Sequence, residues 1–117
     1  MVAENFKQIK QSIIAAAKRV GRNPGDVRLV AVTKEISTAT VSEGIRSGAK
    51  IFGENKVQEA RAKIENLGRD GIEWHFIGHL QKNKVRKAVK TYDYIQTVDS
   101  LSLAKKINVV AKEENKV

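Results

Sequence analysis

Arg28-Leu29-Val30-Ala31-Val32-Thr33-Lys34-Glu35-Ile36 is the stretch on which the fold turns. Its first six residues are largely apolar and β-branched, the pattern of a short strand buried on both faces. The run ends on Lys34, which shares side-chain parity with Val30 and Val32. No glycine follows it. A doubly wound nucleotide-binding sheet would normally carry a glycine-rich turn at that place. A barrel of parallel strands is therefore the favoured closure.

Upstream, Val2, Phe6, Ile9, Ile13 and Val20 recur at helical steps with Ala16 or Ala17, predicting an N-terminal helix over residues 1–20. Gly21-Arg22-Asn23-Pro24-Gly25-Asp26 ends it in a turn. Downstream, a strand-then-helix pattern repeats four times through residues 28–117. The strands read as 28–33, 49–53, 72–77 and 94–98. The first helix carries Ala39, Val41 and Ile45 before Gly48, with Thr40 and Glu43 spaced for a capping box. The second carries Val57, Ala60, Ile64 and Leu67 and stops at Gly68. Val85, Ala88 and Val89 mark the third, and Leu101, Ala104, Ile107 and Ala111 the fourth, capped by Asp99 or Ser100.

Strands alternating with helices imply βαβ units around a parallel sheet. The expected class is α/β, built of TIM-barrel-type units in one domain over residues 1–117. A full barrel needs eight units and about 250 residues. This sequence holds four, so it reads as a half barrel completed by a second chain, either another copy or a complementary half.

Hydrophobic residues at 41% and charged residues at 30% give a soluble globular balance. No apolar run approaches the roughly 20 residues needed to cross a bilayer. The residues from Met1 to Lys7 lack the order of a signal peptide, and cysteine is absent, so a cytoplasmic protein is expected. The formal charge of +9 suits an anionic partner, and its densest stretch is Lys82, Lys84, Arg86, Lys87 and Lys90. Aromatic residues, at 5%, do not interleave with that stretch, so nucleic acid is not the expected partner.

In a parallel barrel, functional groups gather at the C-terminal ends of the strands. Lys34 stands at such an end, where an amine can attack an aldehyde. The plainer reading is a lysine carrying its charge out to solvent. After the second strand comes Gly53-Glu54-Asn55. Gly53 permits close backbone approach, and Asn55 can bond a ligand or cap the next helix. Gln58 and Glu59, on that helix's first turn, can tie adjacent loops together or simply face water. His75 reads as a satisfied core histidine and His79 as a loop residue at the functional end. Two histidines four apart on a strand, with no cysteine, do not make a zinc site.

Three segments are more specific. Leu29 to Lys34, Phe52-Gly53-Glu54-Asn55-Lys56-Val57-Gln58-Glu59, and Trp74-His75-Phe76-Ile77-Gly78-His79-Leu80-Gln81-Lys82-Asn83-Lys84 resemble the YggS/PROSC family of pyridoxal-phosphate homeostasis proteins. Thr97-Val98-Asp99-Ser100 is similar to that family's segment after its fourth strand. The resemblance implies a barrel like the N-terminal one of alanine racemase. It also implies pyridoxal 5'-phosphate held as a Schiff base on Lys34, with Asn55 close to the cofactor. In the family, the later half supplies a Ser/Gly-rich cradle for the phosphate, and residues 1–117 contain no comparable loop. Weak retention of the cofactor is the consequence expected.

The function expected is thus non-catalytic binding that buffers or delivers pyridoxal phosphate. The rival is an enzyme of racemase or imine-forming aldolase type, which needs a second proton-transfer group facing the lysine. Only His79 and Glu35 stand at strand ends in that capacity. A third reading is a structural fragment without activity of its own.

Overall fold

A computed structural model describes residues 1–117. Helix α1 runs Val2–Arg19, with Glu4 in its first turn and Lys18 and Arg19 in its last, each favourably placed on the helix dipole. A short 3-10 turn at Pro24–Asp26 follows, in which the Asn23 side chain accepts from the Gly25 N–H at 2.9 Å. The repeating units are then β1 (Ala31–Val32), α2 (Thr38–Arg46), β2 (Ile51–Glu54), α3 (Val57–Leu67), β3 (Glu73–Phe76), α4 (Val85–Thr91), β4 (Tyr94–Ile95) and α5 (Leu101–Glu113). This is an α/β fold with a four-stranded sheet and five helices, as the apolar periodicity implied.

All neighbouring strands pair in parallel, in the order β1-β2-β3-β4. Ala31 lies opposite Phe52, which lies opposite Trp74. These side chains share the face that the helices cover. Phe52 and Trp74 pack with ring centroids 5.4 Å apart, and Phe76 meets Tyr92 edge-on at 5.2 Å. Val41 of α2, Ala60 of α3, Val85, Ala88 and Val89 of α4, and Leu103 and Val110 of α5 close the core over them. Truncating an aromatic here would cost about 3–5 kcal/mol.

The opposite face carries the row Val32, Gly53, His75 and Tyr94. Its strands differ from expectation in one respect. The run 28–33 has the pattern of a strand buried on both faces, but regular pairing is confined to Ala31–Val32, and Val32 is 54% exposed. Hydrophobic runs of this kind anticipate cover on both sides of a sheet, and these four units cover only one. The fourth strand is likewise shorter than 94–98, and Tyr94 is 48% exposed.

Two caps also differ. Helix α2 is capped by Ser37, whose hydroxyl accepts from the Thr40 N–H at 3.2 Å, not by a box opening at Thr40. The N-cap of α3 is Lys56, without a side-chain bond, so Asn55 does not serve as its cap. Ser100 caps α5 through the Leu103 N–H at 3.1 Å.

Candidate functional site

The C-terminal ends of the four strands present Lys34, Asn55, Gly78-His79 and Thr97 along one rim. Lys34 is exposed in a turn just beyond β1. The buried Thr33 N–H pairs with the Gly53 carbonyl at 3.0 Å, and the Ile36 N–H closes the turn on the Thr33 carbonyl at 3.0 Å. Between them, Glu35 takes φ 62°, the left-handed region that a non-glycine residue enters at a cost.

Under that turn lies a charged cluster. Lys63, on α3, is only 4% exposed, and Glu54, at the end of β2, is fully buried. The Lys63 ammonium donates to Glu54 Oε2 at 2.8 Å, to the Thr33 carbonyl at 2.6 Å and to Glu59 Oε1 at 3.3 Å. The Thr33 hydroxyl also donates to Glu54 Oε2. Glu59 Oε1 accepts from the Glu35 N–H at 2.7 Å. That N–H bond, aided by Lys63 against the opposing effect of burial, holds the Glu59 carboxyl below the usual carboxylate range. Glu54 Oε1 has no partner, and an orphaned buried acceptor costs about 1–3 kcal/mol. Tyr92 stands near the same charges. Burial first, then Glu54 and Glu59, push its phenol above the ordinary value.

The second sequence candidate, Asn55, has an Oδ1 that is buried and unpartnered. It lines a cleft of about 770 Å³ between α3 and the loop after β3, with Lys56, Arg61, His79, Lys84 and Lys87 around it. Lys34 does not line that cleft. Gly78 is what allows the β3 loop to pass so close, because a Cβ there would sit 2.8 Å from Asn55 Cβ and 3.0 Å from its carbonyl oxygen. The approach that Gly53 permits is to neighbours, with a Cβ there only 2.9 Å from Ile77 Cδ1 and 3.2 Å from Val30 Cγ1.

On the uncovered face, below the rim, His75 is buried and satisfied, as its position implied. Its Nε2 lies 3.1 Å from Glu73 Oε1, its Nδ1 lies 2.8 Å from Gln96 Nε2, and its ring stacks on Tyr94 at 4.4 Å. The His75 ring first, and Arg28 after it, hold the Glu73 carboxyl below its usual range against burial. His79 is exposed, 3.9 Å from Asp99, and Glu35 is exposed at the left-handed position of the turn after β1. The two candidate proton-transfer residues thus stand on strands separated by β2.

No family model matches the chain. The pyridoxal phosphate homeostasis protein of Escherichia coli K12 is 43% identical over 110 residues, which are 92% of this chain and 47% of that protein. PipY of Synechococcus elongatus PCC7942, solved without pyridoxal phosphate, superposes with a TM-score of 0.79 at 37% identity over 99% of this chain and 50% of PipY. The same protein with pyridoxal phosphate bound gives 0.75 at 36% identity, over 98% of this chain and 50% of that one. The chain belongs to the YggS/PROSC family. It spans about half the length of the relatives it matches.

For a YggS/PROSC protein the question is whether these residues suit pyridoxal phosphate, a group with an aldehyde at one end and a dianionic phosphate at another. The aldehyde end fits. Lys34 offers an exposed amine on a tightly held turn, and Asn55 carries a buried, unpaired Oδ1 two residues beyond Gly53. Residues 1–117 hold no Ser/Gly-rich loop at a helix N-terminus for the phosphate. No cluster of three or more His, Cys, Asp or Glu side chains is placed to hold a metal ion, and no helix is long and apolar enough to cross a membrane.

Two residues of the buried cluster carry no role in the sequence reading, Glu54 and Lys63. A signal for both was present. Glu54 shares parity with the core residue Phe52, and Lys63 lies on the same stripe of α3 as Ala60, Ile64 and Leu67. An acid and a base on two buried faces that meet are expected to pair.

Proposed function

We propose that this chain is a non-catalytic pyridoxal-phosphate-binding protein of cofactor homeostasis, holding the cofactor covalently through Lys34. When bound, pyridoxal phosphate supplies an aldehyde that condenses with an amine and releases water. The observation that carries the reading is Lys34 itself. It is an exposed amine at the C-terminal end of a parallel strand, where the resemblance to the family implies the cofactor lysine. Asn55 is the residue proposed to steady the bound cofactor from the neighbouring strand. The kinship to PipY, which binds pyridoxal phosphate, supports the same reading. A cytoplasmic setting is proposed with it.

The uncovered face of the sheet belongs to the proposal. Val32 and Tyr94, on the two edge strands, leave apolar surface in water that a further four βα units would cover. We take four further units of this kind to complete one barrel domain over that face. A complementary half would also be the natural source of the phosphate cradle.

The deciding experiment is to mix the chain with pyridoxal phosphate, reduce with borohydride and map the modified peptide by mass. Label concentrated at Lys34 and lost in Lys34→Ala supports the reading. Equal label on surface lysines in both proteins overturns it.

A further inference from the structure

We propose that Glu59 and Lys63, braced by Glu54, are positioning residues that set the backbone on both sides of Lys34. The role assigned to Lys34 rests on the function proposed above, whereas the clamp itself is a property of this chain alone. Two peptide groups adjoin the Lys34 Cα. The carbonyl of the first, from Thr33, accepts from Lys63 at 2.6 Å. The N–H of the second, from Glu35, donates to Glu59 at 2.7 Å.

Both holders come from one turn of α3 and pair with each other at 3.3 Å. Lys63 is fixed in turn by Glu54 at 2.8 Å, and the Thr33 hydroxyl shares that carboxylate. Helix α3 therefore grips the turn at both of its peptides while the Lys34 side chain stays exposed. A left-handed Glu35 persists only where its surroundings over-determine it, and this clamp is such a surrounding. A reactive group works best when its backbone is fixed and its reacting atom is free.

A purely stabilising role explains the cluster less well. Well-packed apolar side chains in place of a buried ion pair are often neutral or stabilising. This cluster also leaves Glu54 Oε1 unpartnered. What apolar side chains cannot do is hold a carbonyl and an N–H on opposite sides of one residue.

Glu59 is partly exposed, so its variants should fold, and a check is unchanged hydrogen exchange at residues 51–54 and 73–76. Glu59→Ala removes the acceptor, and Glu59→Gln keeps an oxygen for the Glu35 N–H. In Glu59→Ala the Glu35 and Ile36 amides should exchange at least about tenfold faster, with wild-type behaviour restored by glutamine. Borohydride-trapped labelling of Lys34 by pyridoxal phosphate should slow by about tenfold to a hundredfold in the alanine variant and recover in the glutamine variant. Unchanged exchange at Glu35 in Glu59→Ala overturns the clamp. Faster exchange with Lys34 labelled at the wild-type rate overturns its positioning role. If the unmutated chain shows no preference for Lys34, the cofactor reading fails. The clamp is then decided by exchange, together with the nuclear magnetic resonance signal of ¹³C-methylated Lys34. That signal should move in the alanine variant and return in the glutamine variant, and one that stays put overturns the positioning.

Discussion

The Lys63 ammonium and the Glu54 carboxylate lie 2.8 Å apart with scarcely any of either residue reaching water. Attraction between them is offset by the loss of hydration of two ions, so their net worth to the fold is small. Removing one partner is another matter, because it strands the other charge in the core. Lys63→Met should lower stability by about 3–5 kcal/mol, read from the denaturant midpoint. Glu54→Gln together with Lys63→Met should recover much of that loss. A single variant as stable as the parent would mean that water reaches Glu54.

Acid should loosen the fold at two places, the Glu59 cluster and the Glu73 contacts. Glu59 and Glu73 both bind their protons more weakly in the fold than in the unfolded chain, Glu59 chiefly through the Glu35 N–H and Glu73 chiefly through His75. For depressed carboxyls the stability gained is complete above the ordinary value of 4.5 and is lost as pH falls towards the folded value. The melting temperature should therefore hold from neutral pH down to about 5 and fall steadily below that. Glu59→Gln should shallow the fall. A melting temperature flat down to pH 3 would remove both groups from the account.

Gly78→Ala tests whether the Asn55 backbone is held by the loop beside it. The new methyl would meet Asn55 Cβ at 2.8 Å and its carbonyl at 3.0 Å, and a backbone atom cannot swing aside as a long side chain can. A loss of about 1–3 kcal/mol is expected from overpacking. If Asn55 steadies the cofactor as proposed, trapped label at Lys34 should drop in this variant and in Asn55→Ala alike. Full labelling in both would free Asn55 of any role.

Much of this architecture was legible beforehand, for reasons that particular residues make plain. Val57, Ala60, Ile64 and Leu67 mark the buried stripe of α3 without help from any other element, and Gly68 ends the helix at φ 81°. Phe52 and Trp74 sit in runs with no other plausible fate than a sheet core. Lys34 was visible because a charge at the end of an apolar run stands out, and Glu59 because a first-turn carboxylate can reach a neighbouring loop, as it does to Glu35. The cap at Ser37 and the buried pair of Glu54 and Lys63 were not seen. The cap is local, Ser37 accepting from the Thr40 N–H three residues on, and the alternative box at Thr40 and Glu43 hid it. The pair depends on which residues meet across β2 and α3, and local periodicity carries no such information. The two-sided burial of Val30 and Val32 was overstated for a related reason, since an apolar run records the cover a strand expects and not whether that cover lies within the same segment.

That missing cover yields the last prediction. Val32 and Tyr94 are roughly half exposed on the two edge strands and flank Gly53 and His75 on one face of the sheet. The edges themselves are only two residues long, which limits how many backbone bonds a docking strand could gain. Association should therefore be driven by the apolar side chains of the face more than by edge pairing. Val32→Asp or Tyr94→Asp should then weaken it sharply while leaving the helix-covered core and its circular dichroism intact. Sedimentation over a range of concentrations is the measurement, with the unmutated chain expected above monomer mass and each aspartate variant shifted towards it. A chain that stays monomeric at every concentration, with slow hydrogen exchange at residues 51–54, would show that four βα units stand alone with one face in water.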